Sequence, residues 1–204
     1  MASNGKELEV KFLVMDHAAL ESRLKFLGAE LIQPRLHETN LRFDTPEREL
    51  SSSARVLRLR MDTAPRLTYK GPGQEHQGAQ LRQELEFTVG DYEMARALFE
   101  ALGYEVMVIY EKFRTTYSLR GILVTLDEMP FGNFIEIEGD DGESIREVAE
   151  RLRLDWDRRI LEGYIMLFDR LKSALGLSFR DLTFANFAGT GISVFALGAL
   201  AADE

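Results

Sequence analysis

The sequence predicts an α+β fold in which eight strands, flanked by helices, can close into a β-barrel with a charged interior. Three observations support this prediction. Several segments alternate strictly between charged and apolar residues, which is typical of β-strands. Helical periodicity separates some of these segments. The polar positions of the strands are almost all ionic, whereas the solvated face of an ordinary antiparallel sheet also carries uncharged polar residues.

The predicted strands share one pattern, which is clearest in residues 6–13. The odd-numbered positions from 7 to 11 are charged there, while positions 8, 10 and 12 are apolar. Because successive side chains of a strand point to opposite faces, Glu7, Glu9 and Lys11 share one face. The other predicted strands are residues 37–43, 55–61, 66–70, 82–88, 110–119, 122–126 and 133–138.

The predicted helices cover residues 16–27, 91–102, 142–152 and 161–175. The first two begin at Asp16 and Asp91, which can cap a helix, and end before Gly28 and Gly103. Tyr164 and the apolar stripe that follows it are expected to seat the last helix on the outside of the barrel.

One domain is expected over residues 1–180, because no linker or low-complexity run divides them. Residues 181–204 form a tail in which no charge lies between Asp181 and Asp203. Residues 182–202 are long enough to span a bilayer in principle. Their polar side chains and glycines make them weakly hydrophobic, so a membrane span is not expected. The tail is expected to pack on the domain or on a partner chain, as in a homodimer.

The overall charge restricts the partners. Among 204 residues, 34 are acidic and 25 are basic, which gives a formal charge of −9. Nucleic-acid binding draws on Lys and Arg, so a nucleic-acid partner is not expected.

The absence of cysteine excludes disulfides, thiolate metal sites and a Cys nucleophile. Since residues 1–5 are short and polar and do not resemble a signal peptide, we expect a cytoplasmic protein.

The charged positions are sorted by strand and by sign. The acidic ones form three Glu–x–Glu pairs, namely Glu7 and Glu9, Glu84 and Glu86, and Glu136 and Glu138. The basic ones on the other strands are Arg58, Arg60, Lys70, Lys112 and Arg114, and Lys11 accompanies the first acidic pair. Burying such charges without partners would cost too much for a barrel core. The pattern therefore favours a water-filled tunnel for a ligand that carries both signs of charge.

A metal–polyphosphate is such a ligand. Mg²⁺ and Mn²⁺ prefer hard oxygen ligands, which clustered carboxylates supply. Arg and Lys suit phosphate oxygens, Arg as a fork and Lys as a point charge. No glycine-rich phosphate-binding loop is present. Side chains alone would then hold the phosphates, which accounts for the number of cations.

The ordered motifs resemble those of the CYTH superfamily of triphosphate tunnel metalloenzymes, and most closely its class IV adenylyl cyclase-like branch. Glu7-Leu8-Glu9-Val10-Lys11 resembles the ExExK signature of that family. The matching segments that follow in family order are Arg42-Phe43-Asp44-Thr45, Leu57-Arg58-Leu59-Arg60, Thr68-Tyr69-Lys70, Glu84-Leu85-Glu86, Lys112-Phe113-Arg114, Leu126-Asp127 and Glu136-Ile137-Glu138. The resemblance covers roughly residues 5–170.

The resemblance implies a closed, eight-stranded antiparallel tunnel and a role for each charged residue. The acids that match metal ligands are Glu7, Glu9, Asp127, Glu136 and Glu138. The cations that match triphosphate-binding residues are Lys11, Arg58, Arg60, Lys70, Lys112 and Arg114, of which Lys11 and Lys70 are the candidates for a direct catalytic role. The supporting acids are Glu84 and Glu86. The implied cofactor is Mg²⁺ or Mn²⁺.

One departure narrows the expected substrate. The family commonly has Tyr where this chain has Arg42, and thiamine triphosphatases pair that Tyr with the Lys that matches Lys70. Arg42 in its place disfavours a thiamine triphosphatase. The resemblance therefore favours a metal-dependent enzyme that hydrolyses inorganic triphosphate or a nucleoside triphosphate. An adenylyl cyclase that converts ATP to cyclic AMP and pyrophosphate is the alternative enzyme. Outside enzymes, the alternatives are a non-catalytic module that binds polyphosphate or nucleotides and a structural barrel with salt-bridged walls.

Overall fold

The fold is a closed ring of eight antiparallel strands with helices around it. The structure is a computed structural model that describes residues 5–192, 196, 198 and 200–204. Its strands are β1 (Lys6–Val14), β2 (Glu30–Asp44), β3 (Val56–Met61), β4 (Pro65–Lys70), β5 (Gln74–His76), β6 (Ala79–Thr88), β7 (Glu105–Leu119), β8 (Ile122–Met129) and β9 (Gly132–Glu138). Its helices are α1 (His17–Phe26), α2 (Glu49–Ser52), α3 (Tyr92–Ala101), α4 (Gly142–Arg151), α5 (Tyr164–Leu175) and α6 (Phe184–Phe187). Residues 1–4, where no signal peptide is expected, lie outside the described residues.

The ring closes because β1 has a partner on each side. The hydrogen-bonded order is β1-β9-β8-β7-β2-β3-β4-β6, and β6 returns to β1. In the closing registers, Glu7 lies opposite Arg82 of β6, and Glu9 lies opposite Glu138 of β9. Strand β5 pairs with β6 and is not among the predicted strands, since three residues are too few to show alternation. The predicted fold of eight strands with flanking helices is confirmed.

Two strands are longer than the sequence pattern predicts. Strands β2 and β7 each run for 15 residues and pair along most of their length. The pairing shifts register on both sides of Gln33, next to Pro34. Proline cannot donate a ladder hydrogen bond and is found at such irregular points of a sheet. The irregularity at Gln33 breaks the alternation, so the predicted strand at 37–43 covers only the second half of β2, in which a further register shift lies between Arg42 and Phe43.

Most of the apolar core lies between the outer face of the ring and the helices. The outward-facing Leu8, Val10 and Phe12 of β1 pack with α1 and α4. On the opposite side, Leu41 and Phe43 of β2 pack under α3. The predicted capping aspartates of α1 and α3 each accept a hydrogen bond from an amide of the first helical turn. This core leaves the interior of the ring free for charged side chains.

Helix α5 closes one end of the ring. The inward-facing rows become apolar there, and Leu13 and Phe134 pack with Tyr164, Leu167 and Leu171 of α5. The start of α5 also lines the interior cavity. The prediction that this helix sits on the outside of the barrel is wrong. Helical periodicity shows that a helix has an apolar face but not which surface that face covers.

The tail returns to the domain at two points. Leu182 is buried and bridges to β7. The amide of Ala202 donates to the carbonyl of Leu13 at 2.8 Å, and the Asp203 carboxylate accepts from two backbone amides just before α1. Residues 193–195, 197 and 199 of the tail lie outside the described residues. No helix in the described part of the chain is long and apolar enough to cross a membrane.

Candidate functional site

The interior of the ring is a cavity of about 510 Å³, which we call the tunnel. All but one of the predicted site residues line it, and the exception is Asp127. The lining residues among them are Glu7, Glu9, Lys11, Arg58, Arg60, Lys70, Glu84, Glu86, Lys112, Arg114, Glu136 and Glu138. One parity of each strand of a closed sheet faces the interior. The predicted residues therefore come together, although the roles assigned to them remain predictions.

Glu7, Glu9 and Glu138 form one side of the tunnel, which we call the acidic wall. Burial and the neighbouring carboxylates of Glu7 and Glu9 raise the pKa of Glu138 to about 7. Burial and the Glu7 carboxylate likewise raise the pKa of Glu9. Glu7 accepts both short hydrogen bonds of Lys70, at 2.5 and 2.7 Å from Nζ. The acidic wall thus holds more negative charge than its neighbouring cations balance.

Glu136 and Asp127 lie in a different environment, among cations. Lys11 Nζ lies 2.8 Å from Glu136 Oε1, and Arg114 also contacts Glu136. Burial alone would raise the pKa of Glu136, but Lys11 and Arg114 lower it well below the ordinary value. Asp127 is fully buried and accepts from Lys112 at 3.0 Å and from Arg114 at 2.5 and 2.6 Å. In this arrangement Asp127 orients two tunnel cations from behind the lining.

Glu86 organises the other basic residues. Its carboxylate lies 2.9 Å from Arg60 Nη2 and 3.3 Å from Arg58 Nη2. The hydroxyl of Thr68 donates to the same carboxylate at 2.8 Å. Glu84 lies 3.4 Å from Lys70 Nζ. Both predicted supporting acids therefore contact the cations that they are expected to hold in place.

The structure adds lining residues that were not predicted as site residues, among them Glu38, Arg42, Arg82, Tyr110 and Tyr164. The first two lie on β2, where positions 38, 40 and 42 share the inward parity, but the row reads Glu-Asn-Arg and not as a same-sign pair. Burial would raise the pKa of Glu38, but Lys112 and three arginines lower it to about 2. Alternation within 37–43 is the signal that could have found this row.

Tyr164 comes from α5 and not from the sheet. Its ring lies 4.6 Å from Lys11 Nζ, and its hydroxyl donates to Asp127 at 2.8 Å. Burial and the nearby carboxylates raise the pKa of the Tyr164 hydroxyl well above the ordinary value. Tyr164 therefore keeps its proton and stays a hydrogen-bond donor at the closed end of the tunnel. No strand pattern could reveal a lining residue that a helix supplies.

The acidic wall fits a divalent cation by its chemistry. Its carboxylates raise one another's pKa, so a bound cation would offset their mutual repulsion. Carboxylate oxygens are also the ligands that Mg²⁺ and Mn²⁺ prefer. Among the described residues, no three acidic or histidine side chains already converge on one point as a ligand set. Glu7, Glu9 and Glu138 would then hold a cation together with ligands from substrate or water.

Comparisons with known proteins identify one domain family. The CYTH domain model matches residues 5–162, a segment that contains all nine strands. A curated protein from Methanocaldococcus jannaschii named "putative adenylate cyclase" is 26% identical over 172 residues, which cover 79% of this chain and 97% of that protein.

Two solved structures share the fold. One is a "putative adenylate cyclase" from Vibrio parahaemolyticus, with a TM-score of 0.74 at 23% identity over 82% of this chain and 99% of that chain. The other is a "putative adenylyl cyclase" from Hippeastrum, described as having a dominant triphosphatase activity. It has a TM-score of 0.62 at 18% identity over 80% of this chain and 95% of that chain.

Proposed function

This chain belongs to the CYTH domain family, and we propose that it is a divalent-metal-dependent enzyme that hydrolyses a triphosphate held in the tunnel. The observation that carries the proposal is the separation of charge inside one cavity. An acidic wall with raised pKa values faces a set of cations that acids behind or beside them hold in place. A metal–triphosphate is complementary to both parts.

In this proposal, acidic residues bind the metal ion and basic residues bind the phosphate groups. Glu7, Glu9 and Glu138 would hold the cation, which would supply positive charge against the phosphate chain and promote ionisation of an attacking water. Arg58 and Arg60 are oriented by Glu86 and present guanidinium forks to phosphate oxygens. The remaining predicted phosphate ligands are Lys11, Lys70, Lys112 and Arg114.

Lys11 and Lys70 are the proposed catalytic cations, because each lies where the acidic wall meets the basic side. Lys70 contacts Glu7, and Lys11 lies 3.9 Å from Glu9 and 2.8 Å from Glu136. Opposing carboxylates raise the pKa of Lys70 although burial lowers it, so Lys70 stays charged. A fixed ammonium at this boundary stabilises the negative charge that develops on the phosphate oxygens during transfer.

Adenylyl cyclase activity is the second candidate. The name of the Methanocaldococcus jannaschii relative supports it. In that reaction the ribose 3′-hydroxyl attacks the α-phosphate and pyrophosphate leaves, whereas hydrolysis uses water at the terminal phosphate. Both reactions need the same charged tunnel and differ in which phosphate lies beside the acidic wall. A binding module without turnover is the third candidate, but phosphate binding alone does not require an acidic wall.

A parallel assay separates the three candidates. Purified protein is given inorganic triphosphate, ATP or thiamine triphosphate with Mg²⁺ or Mn²⁺, and phosphate, pyrophosphate and cyclic AMP are measured. We expect metal-dependent phosphate release, with inorganic triphosphate among the substrates. Glu7→Gln and Glu138→Gln should each reduce turnover by about a hundredfold or more, since each removes a proposed metal ligand. Cyclic AMP as the main product, or binding without any product, would contradict the hydrolase proposal.

A matched control guards against loss of folding as the cause. Glu147 lies on the exposed surface of α4, with 56% of its side chain accessible. Glu147→Gln removes the same charge far from the tunnel lining and should leave turnover unchanged. Unaltered turnover in Glu7→Gln and Glu138→Gln would show that the acidic wall is not the metal site.

A further inference from the structure

Arg42 differs from the predicted tunnel cations in its partners. Each of those cations lies within ion-pair distance of at least one carboxylate. The Arg42 side chain forms no ion pair or hydrogen bond with any residue in the described part of the chain, and its Nε is buried without a partner. Its side chain nevertheless lines the tunnel. Arg42 therefore brings into the tunnel a positive charge that forms no ion pair with any carboxylate of the described residues.

The surroundings of Arg42 are themselves cationic. In the β2–β3 pairing, Arg42 lies directly opposite Arg58. Burial lowers the pKa of Arg42, and repulsion from Arg58 and Arg82 adds to this effect, although Tyr110 and Asp44 partly oppose it. Arg82 donates to the carbonyl of Gly71 at 3.0 and 3.3 Å and forms no ion pair within the described residues. Three guanidinium groups thus lie together. Within the described residues, the one carboxylate at ion-pair distance from any of them is that of Glu86, which is shared with Arg60.

The one acid close in sequence does not neutralise Arg42. Asp44 is buried, and its carboxylate is occupied by the amides of Thr45, Leu50 and Ser51 and by the Ser51 hydroxyl. It stabilises the start of α2 and forms no ion pair with Arg42, on which its charge acts only at longer range. A buried guanidinium without a counter-ion is costly, so an anion that enters the tunnel would be held strongly there.

We propose that Arg42, with Arg82 beside it, binds the free end phosphate of an inorganic polyphosphate chain and makes the tunnel select inorganic triphosphate over nucleoside triphosphates. This inference rests on the proposed triphosphatase function. Inorganic triphosphate has a free phosphate at each end, whereas one end of a nucleoside triphosphate is esterified to ribose and carries less charge. A guanidinium group can donate a charge-assisted hydrogen bond to the additional charged oxygen of inorganic triphosphate.

The test compares Arg42→Met and Arg42→Lys with the wild-type chain. Arg96→Gln is the matched control, because Arg96 lies on α3 with 44% of its side chain exposed and pairs only with Glu100 among the described residues. KM and kcat are measured for inorganic triphosphate and for ATP with Mg²⁺. Dissociation constants are measured by calorimetry for two non-hydrolysable analogues, diimidotriphosphate and β,γ-imido-ATP.

Arg42→Met should raise KM and the dissociation constant for the inorganic compounds by about tenfold or more, the size of one lost charge-assisted hydrogen bond. The corresponding values for the nucleotides should change by less than about threefold. Arg42→Lys keeps the charge but loses the fork, so it should show a smaller change with the same preference. Equal changes for both compounds, or no change for either, would overturn the proposal.

Thermal unfolding without ligand separates binding from a structural role. Removing a repelled, unpaired cation should not lower Tm, so a Tm of Arg42→Met well below that of the wild type would also overturn the proposal. If Arg42→Met does not fold, the test rests on Arg42→Lys, which should lose more affinity for diimidotriphosphate than for β,γ-imido-ATP. Absence of turnover in the wild-type chain would contradict the triphosphatase function, whereas the analogue binding would still test the role of Arg42.

Discussion

Glu136 and Glu138 lie two residues apart on β9 and point into the same tunnel, yet their pKa values move in opposite directions. Burial would raise both values. Lys11 and Arg114 reverse that effect at Glu136, whereas Glu7 and Glu9 add to it at Glu138. One residue therefore belongs to the basic side of the tunnel and the other to the acidic wall. In the sequence the two carboxylates are equivalent members of one Glu–x–Glu pair. Only their neighbours on the adjacent strands distinguish them.

This difference predicts how stability depends on pH. Because the pKa of Glu138 rises from 4.5 to about 7 on folding, the folded state holds a proton that the unfolded state has lost between these values. The stabilising contribution is complete below about pH 4.5 and is lost as the pH rises through about 7. Tm measured in EDTA should therefore fall over this window. Glu138→Gln should flatten the fall by removing this contribution, while Glu7 and Glu9, whose pKa values are also raised, keep theirs.

The same Tm measurement with added Mg²⁺ tests whether the acidic wall binds the metal ion. Metal ligands must be deprotonated, so stabilisation by Mg²⁺ should grow from pH 5.5 to about pH 7.5 in the wild-type chain. The growth should be reduced in Glu138→Gln and retained in the surface control Glu147→Gln. A Tm that rises with pH in EDTA, or equal stabilisation by Mg²⁺ at both ends of the range, would rule out the acidic wall as described.

At the scale of elements, the closed end of the tunnel depends on parts that are distant in sequence. Helix α5 supplies Tyr164, and the end of the tail fixes the segment between β1 and α1. The Asp203 carboxylate accepts from the amides of Met15 and Asp16, and the amide of Ala202 pairs with Leu13. These contacts position the end of the strand that carries Glu7, Glu9 and Lys11.

The tail contact leads to a prediction about stability. Asp203→Ala removes the acceptor of two backbone amides next to the start of α1, as in the loss of a helix cap. We expect the free energy of unfolding to fall by about 0.5–2 kcal/mol, measured by urea denaturation. Glu204→Ala is the control, because the Glu204 side chain contacts only Arg158, at 3.9 Å, among the residues that the structure describes. Equal effects of the two substitutions would mean that Asp203 does not fix the end of β1.

The elements also show what the sequence could predict. Strict alternation fixes which side chains share a face, so the charged lining emerged from single strands without knowledge of their pairing. Alternation does not reveal which acid meets which cation, because that depends on registers between distant strands. Asp127 is an example: its parity is inward, but Lys112, Arg114 and Tyr164 enclose it. The Glu38–Arg42 row was missed because its signs are mixed.

At the scale of the whole molecule, ring closure turns separate rows of charge into one binding site. Strand β1 carries acids and a cation and pairs with both β9 and β6, so the acidic wall forms only where the ring closes. The apolar parity faces outward to α1, α3 and α4 and stabilises the ring without filling it. The central claim is therefore that the two sides of the tunnel bind two different parts of one ligand.

Calorimetric titration of inorganic triphosphate at several Mg²⁺ concentrations tests this claim most directly. In the wild-type chain, affinity should rise with Mg²⁺. Glu9→Gln should remove most of that dependence and keep a weak metal-independent affinity, since the cations remain. Arg60→Gln should weaken binding about tenfold or more at every Mg²⁺ concentration and keep the dependence. If both variants lose affinity with the same Mg²⁺ profile, or if neither changes it, the division of the tunnel into a metal side and a phosphate side is contradicted.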